Sequence, residues 1–264
     1  MSSKLKLKAF FMPRYFMEVA YLGTRYSGFQ VQQNANTIQA EIQRALKVFY
    51  RKDFELTGSS RTDAGVHAFQ NFFHFDSDLL INKAVLYNLN ALLNHDIAIK
   101  NISETEPDAH CRFDATSRTY HYHIHRNKNP FLFETSYYYP FTLNTDLLHQ
   151  YASLIKQVED FTTFSKRKTQ VNHFLCTIQH SSWVIENNCW RYEIKANRFL
   201  RGMVKALTGT MLRLAKNNAG ISEFEKIIES KDCRQADFSP PSKGLFLIEI
   251  KFKLNTFIQA NASV

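Results

Sequence analysis

Residues 58–68 read GSSRTDAGVHA and place one carboxylate, Asp63, between an arginine and a glycine turn. In an extended chain, side chains two positions apart project to the same side, so Arg61 and Asp63 can share one cleft. A guanidinium that close favours the ionised carboxylate and lowers its pKa, which suits a nucleophile or a base. Gly65 allows a positive φ and a close approach by a ligand. A solvated turn capped by its own aspartate is the alternative interpretation of the same residues.

Short strands are predicted on both sides of this turn, near residues 54–58 and 68–75. The other elements predicted for this half are a strand at 14–21, a helix capped by Asn36-Thr37, a helix at 82–93 and a strand at 97–102. This order is β-α-β-β-α-β, the order of a split βαβ unit.

The second half of the chain predicts the same order with longer insertions. Its elements are a strand at 117–126, a helix at 144–157, a hairpin whose strands flank 186–188, a basic helix at 198–215, a short helix opened by Ser222 and Glu225, and a strand at 245–254. We expect an α+β fold with a basic tail at 1–13 and two halves, 14–113 and 114–264. Their sheets would join into one extended mixed or antiparallel sheet with a cleft between the halves.

Composition narrows the functional class only weakly. The 264 residues carry a formal net charge of +9, which favours a polyanionic partner but also fits an ordinary basic surface. The sequence contains neither a G-x-G-x-x-G nor a Walker-type phosphate loop. The four cysteines lack the Cys-x-x-Cys spacing of a zinc knuckle or a redox pair, and no apolar run reaches 18 residues. These features predict a protein of a reducing compartment that does not span a membrane.

The predicted helix at 197–215 has an apolar stripe formed by Leu200, Val204, Leu207, Met211 and Leu214. On this helix Arg198, Arg201 and Lys205 would lie away from the stripe, where they could face phosphates or a buried carboxylate. A solvated basic face is the alternative.

Several ordered blocks of this sequence resemble the TruA family of tRNA pseudouridine synthases. Residues 58–68 are similar to the active-site signature of that family. The other similar blocks are 21–32, with Phe29 where Trp is common, 118–122 (RTYHY), 197–205 (NRFLRGMVK) and 244–247 (GLFL). Together the five blocks span residues 15–254, nearly the whole chain.

The resemblance implies a cytoplasmic homodimer that isomerises uridine to pseudouridine at positions 38, 39 and 40 of the tRNA anticodon stem-loop. It implies the pseudouridine synthase fold, with helices on one side of the sheet, and neither a cofactor, a metal, DNA nor a membrane as partner. Asp63 would be the catalytic carboxylate and Tyr120 would contact the everted uracil. Arg61 would fill the vacated space or bind a phosphate. Lys205, where many relatives have Arg, would pair with Asp63 without the bidentate fork of a guanidinium. The RNA-binding residues would be Arg25, Arg118, Arg198 and Arg201.

Two rival functions stay open on the sequence. His121, His123 and His125 would share one face of a strand, a geometry that can hold zinc, so a metal-dependent hydrolase is conceivable. A non-catalytic RNA-binding relative is the second rival, although it would retain Asp63.

Overall fold

The computed structural model describes residues 12–79, 81, 83–167, 171–186, 189–254 and 256–258. Residues 1–11 of the predicted basic tail and the predicted turn residues 187 and 188 lie outside the described residues. Within the described ranges, no helix is both long and apolar enough to cross a bilayer.

The first half has the predicted order. Its elements are β1 (Arg14–Tyr21), α1 (Ile38–Tyr50), β2 (Thr57–Gly58), β3 (His67–Asp76), α2 (Leu86–Leu92) and β4 (Ile97–Thr105). Strand β1 begins and ends at the predicted residues, 14 and 21. Its alternating apolar residues are buried in the same cluster as residues of α1 and α2. The Thr37 hydroxyl caps α1 by accepting a hydrogen bond from the Ala40 N–H at 3.3 Å.

The second half contains one strand more than predicted. Its elements are β5 (Ala115–His125), β6 (Tyr137–Tyr138), α3 (Thr145–Ile155), β7 (Ile178–Glu186), β8 (Cys189–Ala196), α4 (Met203–Lys216), α5 (Ile221–Glu229) and β9 (Leu245–Phe252). The side chain of Asn144 caps α3, as the predicted start of that helix implies.

Two predicted helix starts are wrong. The basic helix begins at Met203 rather than at residue 198, because Gly202 has a φ of 77° and ends the preceding loop in a left-handed conformation. Arg198 and Arg201 therefore lie in that loop and do not share a helical face with Lys205. The short helix α5 begins at Ile221 with Gly220 as its N-cap, and no side chain caps it. The expected pairing of Ser222 with Glu225 is therefore not a capping box.

The described strands form one mixed sheet in the order β4-β1-β3-β9-β5-β8-β7, with β2 beside β3 and β6 beside β5. Strand β9 is the last of the described strands, yet it lies at the centre of the sheet between β3 and β5. The two halves meet where β3 pairs in parallel with β9, His67 opposite Phe246 and Ala68 opposite Leu247. The loop that carries Asp63 ends directly at this junction.

Each half buries its own apolar cluster, and each cluster takes residues across the junction. The cluster of the first half includes Leu247 and Ile250 of β9, and the cluster of the second half includes Val66 from the loop before β3. Tyr120 packs against both clusters. This exchange holds the 58–67 loop between the two cores. The domain boundary between residues 113 and 114 stays a prediction.

Candidate active site

The loop between β2 and β3 turns at Gly65, whose φ is 76°. The Val66 N–H donates to the Asp63 carbonyl at 3.2 Å across this turn. Gly28 approaches the same loop so closely that a Cβ there would lie 3.2 Å from the Thr62 carbonyl oxygen. Only a residue that tolerates positive φ fits at position 65, which agrees with the predicted glycine turn.

Three hydrogen bonds from the first half anchor the residues next to Asp63. The buried Thr62 hydroxyl lies 2.7 Å from the Tyr21 hydroxyl. The Phe29 N–H donates to the Thr62 carbonyl at 3.1 Å, and the Asn71 amide donates to the Ser60 carbonyl at 2.9 Å. These bonds fix the path of the loop around the buried Thr62.

The Phe29 ring packs against Gly58 at the start of the loop. Position 29 is the one at which relatives in the TruA family commonly carry Trp. The ring stacks on Phe73 with ring centroids 4.4 Å apart and planes 10° from parallel. A Cβ on Gly58 would lie 2.4 Å from the Phe29 ring, so this glycine allows the loop to cross the aromatic face. The substitution of Trp by Phe thus affects a buried support rather than the cleft surface.

Arg61 and Asp63 do not form the expected pair. Asp63 is half-buried and Arg61 is exposed, and in the described part of the chain no hydrogen bond or ion pair joins the two side chains. The expectation assumed a regular extended strand, but residues 59–66 belong to no strand, so the two-residue alternation does not apply. The Arg61 guanidinium is left facing solvent.

Tyr120 and Lys205 lie close enough to Asp63 to interact with its charge. The pKa of Tyr120 is raised to about 12, mainly by burial; the charge of Arg118 opposes this shift and the charge of Asp63 adds to it. Burial also lowers the pKa of Lys205, and Asp63 opposes that shift. The fold therefore brings together the three residues predicted from positions 63, 120 and 205.

Lys205 and Asp63 interact electrostatically but do not form a direct ion pair. Among the described residues no Asp63 carboxylate oxygen lies within 4.0 Å of the Lys205 ammonium, which instead donates to the Ser242 hydroxyl at 3.5 Å. The expected close pairing of Lys205 with Asp63 is therefore not formed. Tyr120 is held by an edge-to-face contact with Phe199, at a centroid distance of 4.9 Å.

A second cation, Lys166, lies beside Lys205. The Lys166 N–H donates to the Arg201 carbonyl at 3.0 Å, and its side-chain carbons pass within 3.3 Å of the position that a Cβ on Gly202 would take. Its charge lowers the pKa of Lys205. In the sequence, Lys166 is marked only as the first residue of a basic run. Such a run alone does not show whether its side chains lie near Asp63 or on a solvated loop.

The four arginines predicted to bind RNA fall into two groups. Arg25 and Arg201 are exposed, and Arg198 is half-buried with its guanidinium 3.1 Å from the His173 ring. Arg118 differs, because its guanidinium donates three hydrogen bonds to protein acceptors. Arg118 is therefore not presented as a free surface cation.

His67 joins the loop to both halves. Its Nδ1 accepts a hydrogen bond from the Gly23 N–H at 3.1 Å, so Nε2 carries the proton and donates to the carbonyls of Glu134 and Lys243 at 3.0 and 3.1 Å. Burial lowers the pKa of His67 and favours the neutral ring. The geometry agrees with a structural role for this histidine rather than with proton transfer.

The three histidines of β5 do not form a metal site. His121 lies 3.8 Å from Glu193, whereas His123 contacts the Phe246 ring and His125 stacks on Tyr138. In the described ranges, no group of three His, Cys, Asp or Glu side chains is placed to hold a metal ion. The hydrolase hypothesis therefore lacks a ligand set there.

The mixed sheet with its helices is consistent with the α+β fold of the pseudouridine synthases. The sequence profile of the family described as tRNA pseudouridine synthase matches residues 17–114 and 158–253. The chain therefore belongs to the tRNA pseudouridine synthase family, whose members are isomerases.

Curated relatives named tRNA pseudouridine synthase A align over nearly the full length. The protein of Parabacteroides distasonis is 40% identical over 248 residues, covering 93% of this chain and 98% of the relative. That of Bacteroides thetaiotaomicron is 39% identical over 250 residues and covers 93% of each chain. That of Staphylococcus aureus is 32% identical over 249 residues, also 93% of each.

Proposed function

We propose that this chain is an enzyme that converts uridine to pseudouridine in tRNA, at positions 38, 39 and 40 of the anticodon stem-loop. Family membership supports the reaction, and the observation that carries it is the half-buried Asp63, which lies close enough to Tyr120 and Lys205 to interact with both electrostatically. The particular positions follow the resemblance of the five sequence blocks to the TruA family.

The reaction breaks the bond between ribose C1′ and uracil N1 and forms one between C1′ and C5. A proton leaves C5 and N1 gains one, so substrate and product contain the same atoms. Neither a redox equivalent nor a phosphate donor is consumed, which fits a chain without a glycine-rich phosphate loop. The required groups are an ionised carboxylate, a pocket for an everted base and a proton acceptor.

Asp63 is the proposed catalytic group. Whether the first step is attack by a nucleophile or formation of a glycal, it uses the same carboxylate held beside the target nucleotide. Tyr120 offers a flat partner for the uracil ring and a polar end that can take part in the later proton transfer. Because burial raises the pKa of this phenol to about 12, Tyr120 enters the reaction in its neutral form at pH 7.

Cations around the cleft supply the binding of the RNA backbone. Lys205 balances the charge of Asp63 across the cleft, and the exposed Arg61 is free to fill the space left by the everted base or to bind its phosphate. Arg25, Arg198 and Arg201 extend this basic surface. Action as a cytoplasmic homodimer, with the tRNA contacting both subunits, is part of the proposal and is supported by the family resemblance.

The test is incubation of the protein with unmodified tRNA, followed by mapping of pseudouridine at single-nucleotide resolution. The natural protein should modify uridines at positions 38–40. Asp63→Asn should abolish turnover and change the Kd for tRNA by less than about threefold, because the surrounding cations supply most of the binding.

Asp53→Asn is the matched control, since Asp53 is an exposed carboxylate that pairs with Lys47 on the surface. This variant should retain full activity. Normal turnover by Asp63→Asn would disprove the assignment of Asp63, and RNA binding without turnover by the natural protein would favour a non-catalytic relative. Sedimentation of the free protein and of the tRNA complex tests the dimer.

A further inference from the structure

The guanidinium of Arg118 connects three separate segments of the chain. Its Nε donates to the Ser60 hydroxyl at 3.0 Å, Nη1 to the Asn197 carbonyl at 3.3 Å, and Nη2 to the Arg112 carbonyl at 3.0 Å. The acceptors lie before β3, after β8 and before β5. The Arg112 carbonyl is six residues from Arg118, but Ser60 and Asn197 are 58 and 79 residues away, so the tertiary structure brings these two acceptors to one side chain.

One end of this bridge holds the catalytic loop. Ser60 is 6% exposed and lies three residues before Asp63. Its carbonyl is bound by Asn71 of the first half, while its hydroxyl is bound by Arg118 of the second half. The position of the loop relative to the second half therefore depends on the Arg118 bond, together with the separate His67 contacts behind the loop.

The other end holds the segment that leads to Lys205. Asn197 is itself fixed by reciprocal bonds with Thr177: the Asn197 N–H donates to the Thr177 carbonyl, and the Thr177 N–H donates to the Asn197 side chain. Phe199, two residues later, packs edge-on against Tyr120. Arg118 thus bonds Asn197, which is fixed by Thr177, at the start of the segment whose Phe199 positions Tyr120.

Arg118 and Tyr120 also project from the same face of β5, because they are two residues apart on one strand. Arg118 lowers the pKa of the Tyr120 phenol, in opposition to burial and Asp63. The charge of Arg118 therefore acts on Tyr120 in addition to the hydrogen bonds that fix the surrounding segments.

We infer that Arg118 is a positioning residue for the isomerisation: it sets the Asp63 loop of the first half against Tyr120 and the 197–202 segment of the second half. This inference rests on the proposed function. It assigns Arg118 a role inside the protein, in place of the RNA contact expected from the sequence. A guanidinium is required because its planar fork spreads its donors over three nitrogens and reaches three separated acceptors at fixed angles, whereas the three donors of an ammonium radiate from a single atom on a flexible stem.

The experiment compares Arg118→Lys, Ser60→Ala and the double variant with the natural protein. Arg118→Lys should lower kcat by roughly tenfold to a hundredfold, since displacing a reacting group by about 1 Å has effects of that size. The Kd for tRNA, measured in an Asp63→Asn background, should change by less than about threefold because the positive charge is kept. Ser60→Ala should lower kcat in the same direction by a smaller factor.

The two changes should not multiply. Both remove the same Nε–Oγ bond, so the double variant should lose less than the product of the single losses. Arg213→Lys is the matched control: that arginine donates to the Gln235 carbonyl at 2.7 Å on the surface of α4, and its replacement should leave kcat unchanged.

Amide hydrogen exchange provides a readout that does not depend on turnover. Exchange at residues 60–65 should be faster in Arg118→Lys and in Ser60→Ala than in the control. An unchanged kcat with unchanged exchange would overturn the inference. So would a tenfold weaker Kd at full kcat, which would identify Arg118 as a phosphate contact. A natural protein that makes no pseudouridine would refute the proposed function. The exchange experiment would still show whether the Arg118 hydrogen bonds hold the loop at residues 60–65.

Discussion

The hydroxyl of Tyr21 lies 2.7 Å from the hydroxyl of Thr62, the residue that precedes Asp63. The same tyrosine oxygen accepts a hydrogen bond from the Asn71 amide at 3.1 Å. Both residues are buried, and burial raises the pKa of Tyr21, so its proton stays in place for hydrogen bonding at any physiological pH. A buried phenol of the first strand thus holds the loop through Thr62, whereas Arg118 holds it through Ser60.

Tyr21→Phe should destabilise the protein and slow it. Removing the hydroxyl leaves the buried Thr62 side chain without this partner, at a cost of about 1–3 kcal/mol in the free energy of unfolding. Loosening the loop next to Asp63 should also reduce kcat by roughly tenfold or more. Urea unfolding and single-turnover kinetics measure the two effects.

Tyr192→Phe is the control for that prediction. Tyr192 is equally buried and bonds the Ser181 hydroxyl at 2.9 Å, but it lies on β8. We expect a similar loss of stability with kcat unchanged. Equal effects of the two variants on kcat would show that the Tyr21 bond has no special relation to the active site.

Gly23→Ala should prevent or severely weaken folding. A Cβ at this position would lie 2.0 Å from the Val66 carbonyl oxygen, a backbone atom of the catalytic loop that cannot swing aside. We expect a loss of about 3 kcal/mol or more in the free energy of unfolding, measured by thermal and urea denaturation. Gly220→Ala is the comparison, because its Cβ would meet only the Ser222 hydroxyl at 4.0 Å. A stable Gly23→Ala protein would contradict the close packing of the loop on this turn.

Acid should destabilise the protein through His74. Burial, followed by the charges of His110 and Arg14, lowers the pKa of His74 to about 4 from its ordinary value of 6.5. The unfolded chain therefore binds a proton at this residue before the folded chain does as the pH falls. The free energy of unfolding should decrease between about pH 6.5 and pH 4, by at most about 1.4 kcal/mol per pH unit from this group.

The variant His74→Asn tests whether His74 causes this decrease in the free energy of unfolding as the pH falls. The asparagine oxygen can still accept from the Cys111 N–H, which now donates to His74 Nδ1 at 3.3 Å. Urea unfolding at several pH values should show a shallower decrease for His74→Asn, while the exposed His149→Asn should follow the natural protein. A slope unaffected by His74→Asn would assign the acid sensitivity to other groups.

Lys166→Gln should weaken tRNA binding with little effect on kcat. Lys166 adds a positive charge beside Lys205, and under the proposed function a phosphate of the everted nucleotide would balance both charges. Losing one phosphate contact should reduce the slope of log K against log salt by about one. Lys231→Gln, which removes a surface cation paired with Asp160 at 3.2 Å, should leave the slope unchanged. Binding titrations at several salt concentrations, in an Asp63→Asn background, measure both variants.

Sequence patterns predicted most of the elements because their signals are local. Alternation identified β1 to the residue, and the Thr37 cap identified the start of α1. The predictions failed where a local pattern has two physical readings. The apolar stripe at 200–214 continues through the loop before α4, and only the left-handed Gly202 shows where the helix begins.

The active-site residues and the fold around them likewise divide into features that the sequence determined and features that only the tertiary structure decided. By itself, the sequence determined the order of the strands and helices except for the two-residue β6, the glycine turn at 65 and the family to which the chain belongs, because local periodicity, a turn residue and short motifs can each be recognised without the tertiary structure. Only the tertiary structure decided that β9 joins the halves beside Asp63, that Arg118 bonds Ser60 and Asn197, and that Arg61 does not pair with Asp63. Hydrogen bonds and charge contacts depend on distances of a few ångströms between segments far apart in the chain, and packing of the two cores sets those distances.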